Sequence, residues 1–180
     1  GFRRDWPDQA LRVNGTVFYN DYQDFQARVQ DVAPLTVPQI ALTVLNAGQL
    51  EIYGAELEAS YAPTESIILD AQIGYLDSSY GEFDDVRFAN FGGSRAFQEP
   101  AFSPEWTARF GASYGWDLNT VGEIRLSGAA RFRSRMALAI DNTLVNSDVE
   151  IDGLFQDDYW LYDASLVWTS EDRILSAGVY

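Results

Sequence analysis

The sequence predicts an all-β protein: an antiparallel up-and-down sheet of about seven strands that crosses a membrane as part of a larger barrel. Three observations carry that expectation. Apolar residues recur at every second position over long stretches, the connections between these stretches alternate long and short, and aromatic residues bracket the apolar faces. A period of two marks a strand with two unlike faces, because successive side chains point to opposite sides of the pleat.

The elements follow in order. Leu11 to Tyr22 is the first expected strand. From Gln49 to Tyr61 the apolar set Tyr53, Ala55, Leu57, Ala59 and Tyr61 alternates with Glu56, Glu58 and Ser60. The pattern recurs in Ile67, Leu69, Ala71, Ile73 and Tyr75, and again in Trp106, Ala108, Phe110, Ala112 and Tyr114. Ile124 to Arg133 and Trp160 to Trp168 repeat it, and Ile174 to Tyr180 begins a last strand. Between them, Pro63 to Ser66, Gly115 to Gly122 and Ser170 to Arg173 are short turns with ordinary turn residues. Asp24 to Leu45, Gly81 to Ser103 and Ser134 to Asp158 are the long connections. Long loops gathered at one end and short turns at the other are the layout of an outer-membrane barrel.

The aromatics give an independent test. Tyr53 and Tyr61, Trp106 and Tyr114, and Trp160 and Trp168 each stand eight residues apart on one face. Eight residues span roughly 26 Å of strand, and a tilt of about 40° reduces this to about 20 Å of height. Two belts of Trp and Tyr bracketing an aliphatic band match the two interfaces of a membrane.

Composition narrows the function. Of 180 residues, 27 are acidic and 12 basic, a net charge of -15, which leaves no basic surface for nucleic acid. The chain is 47% hydrophobic and 14% aromatic, too apolar for a disordered acidic tail. Without Cys or His it has no disulfide, no Cys/His zinc site and no Ser-His-Asp triad. The longest uninterrupted apolar run, Met136 to Ile140, is far short of a membrane helix. The chain begins Gly1-Phe2-Arg3-Arg4 and stops at Tyr180 within an apolar alternation, so a fragment is expected.

The polar faces carry Glu56, Glu58, Asp70, Arg109, Arg125, Arg131 and Arg133, charges suited to a wet barrel interior. Glu56 and Glu58 share one side of a strand, but a lumen wall needs such groups, and no catalytic residues, metal ligands or cofactor are expected. If Tyr114 pairs with Ile124, Arg131 lies opposite Thr107 and two residues along from Arg109. Such a basic wall serves either to guide an anionic ligand or, the favoured reading, to contact acidic groups of a plug. In the connection 81–103, Phe83, Phe88, Phe91 and Phe97 are interleaved with Arg87 and Arg95. Exposed loop aromatics either pack among themselves or meet a ligand; these six residues are the candidate ligand contacts. The acidic residues of 134–158 match no EF-hand spacing and are expected to keep that end soluble.

Specific stretches also resemble TonB-dependent outer-membrane receptors. Leu11-Arg12-Val13-Asn14-Gly15-Thr16-Val17-Phe18-Tyr19-Asn20-Asp21-Tyr22, with the following Phe25-Gln26, is similar to one strand of that family. Asn46-Ala47-Gly48, then Tyr53-Gly54-Ala55-Glu56-Leu57-Glu58, is the most specific match. Gly74 to Tyr80, Ser103-Pro104-Glu105-Trp106 and Tyr159 to Leu166 support it. The resemblance implies that residues 1–180 are a partial domain from a 22-stranded barrel, lying just before its final strand. It further implies an enclosed N-terminal plug, coupling to TonB, and import of a scarce ligand across the outer membrane of a Gram-negative bacterium, a ferric siderophore being the first expectation. Outer-membrane lipid is the expected surrounding partner. The alternative from another class is a soluble β-rich carbohydrate-binding module or glycosidase, with its apolar face turned inward.

Overall fold

The computed structural model describes residues 1–32, 40–46 and 48–180. Eight strands form one antiparallel sheet: β1 (Phe2–Trp6), β2 (Leu11–Gln23), β5 (Gln49–Thr64), β6 (Ile67–Glu82), β7 (Trp106–Asp117), β8 (Glu123–Arg133), β11 (Tyr159–Thr169) and β12 (Ser176–Val179). Each pairs with the next in that order, an up-and-down meander without crossovers. The connection after β2 carries a hairpin of β3 (Gln26–Val32) and β4 (Ile40–Asn46), and the one after β8 a short ribbon of β9 (Met136–Ala137) and β10 (Phe155–Gln156).

All seven expected strands lie in the sheet, joined by β1, whose five residues were too few to reveal a period. The last strand starts at Ser176 and not at Ile174. A turn from Ser170 to Leu175 delays it, with Ser170 N–H donating to Leu175 O at 2.9 Å and Arg173 at φ 57°. The apolar set read from the sequence stops at Tyr75 and the long connection is expected from Gly81; strand β6 runs through to Glu82, its alternation continuing with reversed polarity. Leu76 and Tyr80 now take the face of Gln72, while Asp77 takes the face of Tyr75.

One expected register is corrected. Tyr114 pairs with Leu126, not Ile124, so Arg131 stands directly opposite Arg109 and Arg133 opposite Thr107. The turn is tighter than the sequence suggests. Strand β7 continues to Asp117, and Leu118 to Gly122 close it, with Leu118 N–H donating to Gly122 O at 2.8 Å. Gly122, at φ 112°, is required there: a Cβ would lie 2.0 Å from Thr169 O. The slip is two residues, so every side chain keeps its face.

The sheet is a single layer with two unlike faces. Pairing puts Tyr53, Leu57, Phe110, Leu126 and Leu166 on one face, as parity predicts, and each is 42–46% exposed in the chain. In a soluble sandwich these side chains would be the buried core, and no second sheet covers them among the described residues. Toward the long connections this face ends in aromatics: Tyr53 opposite Tyr19, Tyr75 against Trp106 at 4.8 Å, and Trp160 against Phe132 at 5.1 Å. Toward the short turns it ends in Tyr61, Tyr114, Trp116 and Trp168, the last donating its indole N–H to Val121 O at 3.1 Å. Phe110 and Tyr162 interrupt an otherwise small and aliphatic middle band. At the long-connection rim the tyrosine hydroxyls find carboxylates, Tyr53 donating to Asp77 at 2.6 Å and Tyr19 to Glu51 at 2.8 Å. That is where an apolar surround gives way to water.

Candidate functional site

The inner face of the wall

Cross-strand pairing lines up the polar face in rows. One row reads Asn14, Glu58, Gln72, Arg109, Arg131 across β2, β5, β6, β7 and β8. The next, one pleat nearer the long connections, reads Thr16, Glu56, Gly74, Thr107, Arg133 and Tyr159. Arg109 and Arg131 are like charges side by side, an arrangement that repels unless each has a partner. Both have one on the outer flank: Arg109 bonds Asp70 on β6, and Arg131 Nη1 reaches Asp163 Oδ2 on β11 at 2.7 Å. Gly111 makes the first pair possible, since a Cβ there would lie 2.3 Å from Asp70 Oδ1.

Arg125 shares the face but not the place. It bonds Glu123 on its own strand, beside the short turn, six residues and roughly 20 Å from Arg131. Glu58 accepts from Asn14 Nδ2 at 3.3 Å. The side chains of Glu56 and Arg133, in the same row, form no hydrogen bond or ion pair with any described residue. Between them lie only Gly74 and Thr107, so an acid and a base face each other across three strand spacings, about 14 Å. The trough they bound has a volume of about 350 Å³ and also includes Arg109, Arg131 and Tyr159. Thr107, Gly74, Gly111, Tyr159 and Asp163 were not singled out from the sequence, although parity alone puts them on this face.

The cap over the inner face

Toward the long connections the inner face turns apolar. Leu50 and Tyr80 are paired across β5 and β6 and buried, and Phe83, Ala27 and Val29 complete a core with them. Ile140, from the connection 134–158, packs on the same cluster. Three separate long connections therefore share one core, seated on the face that carries the charges lower down.

Of the six candidate contacts in 81–103, Phe83 and Phe88 are fully buried, as is Arg95 at 1% exposure. Arg95 lies against both rings, 5.0 Å from each centroid. Its Nη1 donates to Asp85 at 3.2 Å, its Nε to Gln98 at 2.7 Å, and its Nη2 bonds Asp141. Asp85 also accepts from Arg87, by Nη2 at 2.7 Å and by the backbone N–H at 3.0 Å. Burial pushes the Asp85 carboxyl up, but the hydrogen bonds and charge of Arg87, with the charge of Arg95, outweigh it and hold the group below its ordinary value of 3.8. The outer members are Arg87, half-buried, and Phe91 and Phe97, stacked at 4.5 Å with Phe97 43% exposed. Gln98, Thr143 and Asn142, all buried and polar, went unseen in the sequence because their importance lies in one another.

A single-layer antiparallel sheet with an apolar outer face, an ion-paired inner face and a cap at the long-connection end is a section of wall from a membrane β-barrel. The chain belongs to the TonB dependent receptor-like, beta-barrel family, whose model matches residues 1–180. Members of this family are outer-membrane receptors and transporters. Among solved structures, the chain is similar to the ferric yersiniabactin uptake receptor FyuA from Yersinia pestis, with TM-score 0.64 and 19% identity over 95% of this chain and 22% of that one. It is similar to BauA, the ferric preacinetobactin receptor from Acinetobacter baumannii, with TM-score 0.58 and 17% identity over 90% and 21%. The copper transporter OprC matches with TM-score 0.59 and 17% identity over 98% and 23%. At these identities the likeness is one of fold, and the chain spans about a fifth of each of these proteins. The comparison with curated proteins finds no match.

Proposed function

We propose that this chain is wall and outer cap of a receptor in the outer membrane of a Gram-negative bacterium, one that binds a ferric siderophore and imports it with energy relayed by TonB. The observation that carries the reading is the two-faced wall: an outer face suited to lipid and an inner face left with an acid and a base, Glu56 and Arg133, facing a space. A plug domain is the partner that fits. It would set a basic group against Glu56 and Glu58 and an acidic one against Arg133, Arg109 and Arg131. Asp70 and Arg125 serve the wall by pairing with Arg109 and Glu123.

At the mouth, Arg87, Phe91 and Phe97 are the residues offered to a ligand, and Phe83, Phe88 and Arg95 hold them from beneath. The stacked pair Phe91 and Phe97 offers a flat apolar surface to a chelate with ring groups, and Arg87, held by Asp85, stands in the same connection. Two of the structural neighbours are named for ferric ligands, yersiniabactin and preacinetobactin, and a third as the siderophore receptor PiuA from Acinetobacter baumannii, which supports that choice of ligand class, while OprC is a copper transporter. Nothing observed favours the soluble carbohydrate-binding or glycosidase alternative.

The test is radioiron uptake from ferric siderophores by iron-starved cells carrying or lacking the full-length receptor. Uptake that needs the receptor and stops when TonB is deleted is the expected result. Equal uptake with and without the receptor, across hydroxamate, catecholate and carboxylate siderophores, would remove iron chelates as the ligand.

A further inference from the structure

We propose that the connections 83–103 and 134–158 form one cooperative lid keyed by Arg95, in which neither opens without the other. Its position over a ligand path rests on the receptor reading above; its cooperativity does not.

The argument starts from the cost of a buried charge. Arg95 is 1% exposed, and a guanidinium so far from water is tolerated only when its donors are filled and its charge is matched. Its partners come from both connections. Asp85, Gln98 and the rings of Phe83 and Phe88 belong to its own, whereas Asp141 and the Ile140 carbonyl, 3.5 Å from Nη2, belong to the other. Asp85 is already shared with Arg87, so withdrawing 134–158 leaves the buried cation undermatched. Withdrawing 83–103 carries the cation off and strips the cover from Ile140 and Asp141.

Further bonds cross the same seam. Gln98 Nε2 donates to Thr143 Oγ1 at 2.5 Å, Asn142 Nδ2 to the Glu99 carbonyl at 2.8 Å, and the Asn90 N–H to Asn146 Oδ1 at 2.7 Å. The Phe102 N–H donates to Ala137 O at 2.8 Å, and Arg135 reaches Glu99 at 3.2 Å across the seam while holding Glu150 of its own connection at 2.6 Å. Gln98, Asn142 and Thr143 are themselves buried, so parting the seam breaks all of these bonds together and exposes their polar groups at once. Separation is therefore penalised along its whole length, and the arrangement has two states: both closed or both open.

Amide hydrogen exchange on the full-length receptor tests this without any ligand. In R95Q, exchange should rise about tenfold or more in 83–103 and 134–158 together, with β7 and β8 unchanged. D141N, on the other side of the seam, should loosen the same two segments. A rise confined to 83–103 in R95Q would overturn the proposal. If R95Q fails to assemble, the unmodified receptor in mild urea is the second measurement: a common opening rate for both segments supports the lid, and unequal rates defeat it. Failure of siderophore uptake would leave these exchange results standing, so the two readings fall separately.

Discussion

Two stretches of one face behave as different materials. Near its middle the inner face of β5 and β6 carries Glu56, Glu58 and Gln72 in a wide trough; toward the long connections it carries Leu50, Ile52 and Tyr80 beneath a cap. The backbone pairing and the parity are continuous through both. What changes is the neighbour: an open interior below, a folded-over set of connections above. A strand supplies direction, and the medium it faces decides which residues that direction requires. The sharpest expression is in the charges. Arg131 and Asp163 form a pair more than half exposed in this chain, whereas Arg95 makes its bonds in a dry core.

The largest effect expected from breaking this comparison is in the cap. Phe83→Ala removes a fully buried ring and should cost the cap about 3–5 kcal/mol. Limited proteolysis of the full-length receptor should then cut in 83–103 while the barrel keeps its heat resistance. Phe97→Ala, at a site 43% exposed, should leave the cleavage pattern nearly unchanged. Equal sensitivity in the two variants would mean that the cap has no core.

Next comes a pair of neighbours on β8. Ala130 lies on the outer face between Phe110 and Tyr162, and Ala129 on the inner face between Gly111 and Asp163. Ala130→Arg puts a charge into the apolar band and should cost about 2–4 kcal/mol. Ala129→Arg meets Asp163 and water and should be tolerated. The heat-modifiable band on a gel reads both, and similar losses would contradict the assignment of faces.

A smaller effect is expected at Gly111. Gly111→Ala forces the Asp70 carboxylate away from Arg109, and the loss of a half-exposed ion pair costs about 1 kcal/mol. The midpoint of chemical unfolding should drop slightly, and removing Asp70 in the same chain should abolish the further effect of the alanine.

The mildest test is pH. Asp85 has its carboxyl held below the ordinary value, so its ionised form is favoured in the folded cap. The stabilisation is fully present above about pH 4, the unfolded value. It is lost as pH falls through the lower, folded value. Exchange protection of 83–103 should therefore be flat from neutrality to about pH 4 and decline only below it. A decline between pH 5 and 7 would assign the transition to another group, and Asp85→Asn should remove the acid step.

Much of the wall was legible in the sequence. Seven strands, their faces and the unequal connections follow from a period of two and from turn residues, because each strand of a barrel wall meets two unlike media and records both in alternate positions. Even the polar-face residues Glu56, Glu58, Arg109, Arg131 and Arg133 are readable one strand at a time. The structure decided what depends on a second chain segment: that Arg131 faces Arg109 and not Thr107, that Arg125 belongs to a turn, and that β6 continues past Tyr75 with its polarity reversed. It also decided the state of the loop residues. Phe83, Phe88 and Arg95 look like Phe91, Phe97 and Arg87 in the sequence, and no periodicity separates them. Phe83 is buried against Leu50, Tyr80, Ala27 and Val29, and Arg95 is matched by Asp141 and the Ile140 carbonyl some 45 residues away; a contact between distant segments leaves no mark in the local pattern of either.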